Sequence, residues 1–65
     1  MENLSYKIYV RVANPCCCIK IAEFQRMPSD FVLDAIARNY SEDTLIPISS
    51  IEIHRNRKII HQIDF

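Results

Sequence analysis

With 65 residues and eight basic against eight acidic side chains, the chain has no net charge, so no whole-molecule field draws it to nucleic acid or an anionic membrane. A chain this short removes only about 60% of its extended surface from water and supports one core, so residues 1–65 read as a single domain. The 49% apolar fraction excludes a disordered chain, the absence of glycine excludes phosphate-cradling loops, and no run is long enough to span a bilayer.

The opening Met1-Glu2-Asn3-Leu4-Ser5-Tyr6-Lys7 lacks the apolar stretch of a secretion signal, which points to a cytoplasmic protein. From Tyr6 to Val12, Tyr6, Ile8, Val10 and Val12 fall on one side and Lys7, Tyr9 and Arg11 on the other, the period-two pattern of a half-buried strand. Asn14-Pro15 breaks the ladder, and a second strand over Cys17 to Gln25 completes a hairpin. In that strand Cys17, Ile19 and Ile21 share a face with Glu23, so a bulge near Ala22 is expected to turn Phe24 inward.

The segment from Pro28 to Tyr40 predicts a helix: Ser29 is a good N-cap, Asp30 favours the positive end of the dipole, and Asp34 and Arg38 are an i,i+4 pair. Asp30, Asp34 and Arg38 form a narrow polar stripe. Val32, Ala35, Ile36 and Tyr40 centre a wide apolar arc, and Phe31 or Leu33 on its flanks is left for partial exposure. Turns must rely on residues other than glycine, and Asn39 and Asn56 are the expected sites of positive φ. After a connection through Ser41-Glu42-Asp43-Thr44 and Ile46-Pro47, Ile51 and Ile53 alternate with Glu52 and His54. A turn at Arg55-Asn56-Arg57-Lys58 leads to a last strand with Ile59, Ile63 and Phe65 on one face.

The expected fold class is therefore α+β, ββαββ, with one helix on a four-stranded mixed sheet. The order 2-1-4-3 places the first and last strands parallel at the centre, joined by a right-handed crossover.

Met27-Pro28-Ser29-Asp30, the helix, Leu45-Ile46-Pro47 and Ile51-Glu52-Ile53-His54-Arg55-Asn56-Arg57-Lys58-Ile59-Ile60 resemble the ubiquitin-like β-grasp pattern, and Lys7-Ile8-Tyr9-Val10-Arg11 is similar too. No residues remain for the usual fifth strand, so the closest likeness is to the minimal β-grasp of immunoglobulin-binding domains such as protein G. Conjugated modifiers and sulfur carriers of that family end in Gly-Gly. This chain ends Gln62-Ile63-Asp64-Phe65, so activation of its C-terminus is not expected. His54 and Arg55 stand where ubiquitin carries its apolar recognition patch, which argues against the same partners. The iron–sulfur cluster of β-grasp ferredoxins needs four spaced cysteines, and three contiguous ones do not supply them.

Cys16, Cys17 and Cys18 are an odd number at a spacing unlike a disulfide framework and read as reduced thiols. Alternation sends Cys17 one way and Cys16 and Cys18 the other, so one tetrahedral metal does not gather all three. Cys17 reads as a small buried residue, and Cys16 and Cys18 as candidate reactive thiols. His54 and His61 are too few and too separated for a metal site on their own, and His61, on the apolar face, reads as a hydrogen-bonded core or edge histidine. No nucleophile–base–acid constellation is visible, so neither an enzyme nor a cofactor is expected.

Charge is unevenly placed: Asp30, Asp34, Glu42 and Asp43 against Arg38 alone on the helical stretch, and Arg55, Arg57 and Lys58 in the last turn. The reading this favours is a small non-catalytic protein-binding module, an inhibitor or adaptor of a larger protein, with Asp30, Phe31, Asp34, Glu42, Asp43, Arg55, Arg57 and Lys58 as partner-binding candidates. The partner is a protein with a basic or nucleic-acid-binding surface, and the profile fits inhibitors that phages or mobile elements direct at host defence complexes. The alternatives are a thiol-based metal or redox-sensing protein and a weak nucleic-acid binder using the 55–58 turn. A monomer and a homodimer joined at an exposed edge, the second or third strand, both remain open.

Overall fold

A computed structural model describes residues 4–13 and 16–65, without the side chains at 13 and 16, so the Asn14-Pro15 turn and the Cys16 thiol lie outside what is described. The element order is β1 (Tyr6–Ala13), β2 (Cys16–Phe24), α1 (Asp30–Thr44), β3 (Ile48–Arg55) and β4 (Lys58–Asp64). The architecture is α+β, a single four-stranded sheet with one helix on one face.

The alternation of β1 is realised in full: Ile8, Val10 and Val12 are buried towards the helix, where Ile8 and Val10 meet Leu33, Ala37, Ile51 and Ile53. The bulge in β2 falls at Ile21, because Ile8 pairs with Ala22 while Tyr9 pairs with Lys20. That extra residue resets the alternation, so Ile19, Ala22 and Phe24 all pack against the core.

The strand order is 2-1-3-4 and every pairing is antiparallel, which corrects the expected 2-1-4-3 with its parallel central pair. The reason is burial. A central strand is shielded by neighbours on both edges, and β3 carries the fully buried Ile51 and Ile53, whereas β4 leaves Ile59 and Ile60 half exposed. The sheet edges are accordingly β2 and β4, not β2 and β3. The likeness to the β-grasp stops at the order of elements, because a wholly antiparallel sheet has no parallel pair at its centre.

Ser29 caps the helix as expected, its hydroxyl accepting from the Val32 amide at 3.3 Å. The inward face is centred on Leu33 and Ala37, with Ile36 and Tyr40 beside them. Leu33 is thus core rather than flank, while Val32 is partly exposed and Phe31 is 83% exposed. The helix also runs past Tyr40 to Thr44, because Ser41-Glu42-Asp43-Thr44 contains no breaker and Asn39 stays helical. The stop is Leu45, in the left-handed region at φ 60°, its amide donating to the Ser41 carbonyl at 2.9 Å. Asn56 takes positive φ as expected and Arg57 joins it, at 54° and 63°, forming the two-residue hairpin turn between β3 and β4.

Candidate functional site

Among the described residues, one helix covers one face of the sheet and no element packs on the other. On the open face the cross-strand ranks are Cys18, Arg11, Ser50 and Asp64, then Lys20, Tyr9, Glu52 and Gln62, then Lys7 and His54 beside Ile59. Within this polar surface Glu52 is 1% exposed. A carboxylate is stable there only if its lone pairs are met, and three side chains meet them.

The Arg11 Nε donates to Glu52 Oε2 at 3.0 Å. On the other oxygen, Oε1, converge His54 Nε2 at 2.9 Å and Cys18 Sγ at 3.7 Å. Tyr9 completes the wall, its ring centroid 4.2 Å from that of His54 and tilted by 33°. These contacts hold the Glu52 carboxyl below the ordinary carboxylate range, chiefly through the bond to His54 and then Arg11, against the opposing effect of burial. Burial, then the nearby Glu52 charge, raises the Cys18 thiol, so Cys18 is protonated at neutral pH rather than an activated nucleophile.

Next to this cluster lies a depression of about 400 Å³ lined by Leu4, Ser5, Lys7, Tyr9, His54, Asn56 and Arg57. On β2, Glu23 is held by Ser5 at 2.7 Å and pairs with Lys20. Both contacts, Lys20 first, lower the Glu23 pKa.

The other expected residues are dispersed. Asp30 Oδ1 is hydrogen-bonded to His61 Nε2 at 2.8 Å, tying the helix start to β4, so His61 is the hydrogen-bonded histidine that the sequence suggests. Asp34 pairs with Arg38 at 2.7 Å. Phe31, Glu42 and Asp43 lie exposed along the helix. Of the last-turn cations, Arg55 lies 4.8 Å over the Tyr6 ring on the helix side of the sheet, while Arg57 and Lys58 are exposed. Arg55 and Lys58 are cross-strand partners, and Arg57 stands in the turn between them. Cys17 is half-buried and Cys18 exposed, both as free thiols.

The Cys18–Glu52–His54 convergence is the arrangement that reading the sequence missed. Its local signal is the Glu52-x-His54 spacing, which places both side chains on one strand face. Cys18 reaches them only because β3 lies beside β1, and the order 2-1-4-3 would have held them a further strand apart.

Compared with protein-family models, with curated proteins and with solved structures, the chain matches none. Among the described residues no helix is long and apolar enough to cross a membrane.

Proposed function

We propose that the chain is a non-catalytic binding module that docks on another protein through the outer face of its helix, as an inhibitor or adaptor. The observation that carries this reading is Phe31, 83% exposed on the first turn of a well-capped helix. Phe31 and Arg38 are seven residues apart within the helix and so lie on nearly one line, offset by about 20°. Leu45 at the far end of the helix is 87% exposed.

An exposed phenylalanine contributes little to the fold, but burying it against a partner removes about 150–250 Å² of its surface from water. Large aromatics in such settings are the residue type that dominates binding energy. Asp34 and Glu42 stand beside that line, with Asp30 and Asp43 further round the helix, so the complementary surface is an apolar pocket with basic edges. Glu42 and Asp43 stand in the last helical turn, which contains no basic residue. Carboxylates there oppose the helix dipole at a cost of about 0.3–1 kcal/mol each, a cost that a basic partner would offset. Inhibition of a nucleic-acid-binding host defence complex is the specific form of this reading, since such complexes present basic surfaces.

Photocrosslinking in the native host, with a photoreactive phenylalanine analogue at position 31 and a control at Lys20 on the opposite face, tests the proposal. A discrete protein adduct from position 31, absent from position 20 and lost with Asp34→Lys and Glu42→Lys, is expected. No adduct at 31, or the same adduct from both positions, would overturn it.

A further inference from the structure

The open sheet face carries a second kind of chemistry, independent of the helix. Cys18 Sγ, a Glu52 carboxylate oxygen and a His54 ring nitrogen all lie within 4.8 Å of one another. We propose that these three residues bind a divalent transition-metal cation of the zinc class, with a fourth position open towards solvent.

The distances are close to those that coordination requires. Bond lengths of about 2.0 Å to nitrogen or oxygen and about 2.3 Å to sulfur, at tetrahedral angles, separate sulfur from oxygen by roughly 3.5 Å and nitrogen from oxygen by roughly 3.3 Å. The observed separations are 3.7 Å for Cys18 Sγ to Glu52 Oε1 and 2.9 Å for His54 Nε2 to the same oxygen. At those two pairs the difference from coordination geometry is well under about one ångström, while Cys18 Sγ and His54 Nε2, within 4.8 Å of each other, must close to roughly 3.5 Å as the cation enters.

The donor set matches too. Thiolate, imidazole and carboxylate together suit zinc and its neighbours, and neither magnesium nor calcium recruits a thiol. Glu52 is anchored as a ligand by Arg11, which holds Oε2 at 3.0 Å and so directs Oε1 at the other two donors, much as hydrogen bonds from outside a metal site commonly orient its ligands. Its 1% exposure keeps it from swinging into water. Without metal, the two contacts on Oε1 are hydrogen bonds that occupy the same space. On binding, the Cys18 thiol proton leaves to solvent, and the proton that His54 Nε2 donates to Glu52 is exchanged through solvent for one on Nδ1, so that the Nε2 lone pair faces the cation. The site gains a dication and loses one proton.

Titration with cobalt(II) of the full chain under reducing conditions tests this, using a Cys16→Ser, Cys17→Ser double variant so that Cys18 is the sole thiol. The expected result is one cobalt per chain with thiolate-to-cobalt charge-transfer absorption and d–d bands of tetrahedral intensity. Zinc should displace the cobalt. Adding His54→Ala should weaken binding at least about tenfold, and adding Cys18→Ser should abolish the charge-transfer band. Because Cys18 is exposed and His54 half-buried, circular dichroism is expected to show both variants folded. If either unfolds, retention of the band in Glu52→Gln serves as the deciding measurement and would overturn the proposal. Absence of the band from the double variant, or its persistence without His54, would overturn it as well.

Discussion

The two faces of the sheet are built from the same strands and obey different rules. Towards the helix, Ile8, Val10, Ile51 and Ile53 are wholly buried by apolar neighbours, and the non-directional hydrophobic effect is enough to hold them. Away from it, the largest buried side chain is a carboxylate, Glu52, closed over by Arg11, His54 and Cys18 and held by specific hydrogen bonds. One face tolerates substitution by size, the other by donor and acceptor. Stability therefore resides mainly on the first face and chemistry on the second, and mutation can break that division.

The largest effect is expected from Leu33→Ala, which empties the centre of the helix–sheet contact. Leu33 is fully buried among Ile8, Val10, Ile51 and Ile53, and loss of its side chain should cost about 2–5 kcal/mol in urea unfolding. In a 65-residue domain that is a large share of the total, so partial unfolding at room temperature is the expected outcome. Phe31→Ala, two positions away on the same helix, is expected to change stability by no more than about 0.5 kcal/mol. A comparable loss from both would mean that the outer helix face is packed rather than free.

Much of the covered face was legible in the sequence, and the open face was not, for a physical reason. Alternation in β1, the Ser29 cap and the Asn56 turn are local signals, each decided within a few residues. The bulge at Ile21 was legible because Phe24 otherwise points to water. Whether β3 or β4 lies beside β1 is a non-local choice: both carry isoleucines, and only the full burial of Ile51 and Ile53 decides it. That choice also assembles the open-face cluster, since Glu52 must lie beside Tyr9 for Arg11 and Cys18 to reach it. The conspicuous feature, three adjacent cysteines, drew attention as a group, whereas alternation separates Cys17 from Cys18 and gives Cys18 the place near Glu52. The helix stop was not legible because Leu45 has no intrinsic preference for positive φ, and the capping bonds from Leu45 to Ser41 and from Ser41 to Ile46 impose it.

A middle-sized effect belongs to the Arg11–Glu52 pair. Its Arg11 end is 42% exposed and its Glu52 end 1%, so it is neither a surface pair worth about 0–1 kcal/mol nor a fully buried one worth about 3–5 kcal/mol when broken. Arg11→Met leaves Glu52 with His54 and Cys18 as partners and is expected to cost roughly 1–3 kcal/mol. Combined with Glu52→Gln in a double-mutant cycle, the coupling should exceed about 1 kcal/mol. Coupling near zero would show that Glu52 is held by packing alone, and the distinction between the two faces would collapse.

The smallest expected effect is a gain. Asn56 and Arg57 both hold positive φ in the turn joining β3 to β4, and asparagine tolerates this region while a long-chain residue such as arginine does not. Asn-Gly is the favoured pair for this turn, so Arg57→Gly relieves backbone strain while loosening the unfolded chain, for a net stabilisation of about 0.5 kcal/mol. Arg57 also lines the depression beside His54, which makes the outcome informative about the open face. If that wall is an accessible surface, the arginine side chain contributes nothing to the fold and thermal unfolding should shift upward. A downward shift would mean that the guanidinium holds the wall of the depression together, so that this part of the open face, like the covered one, is kept in place by packing.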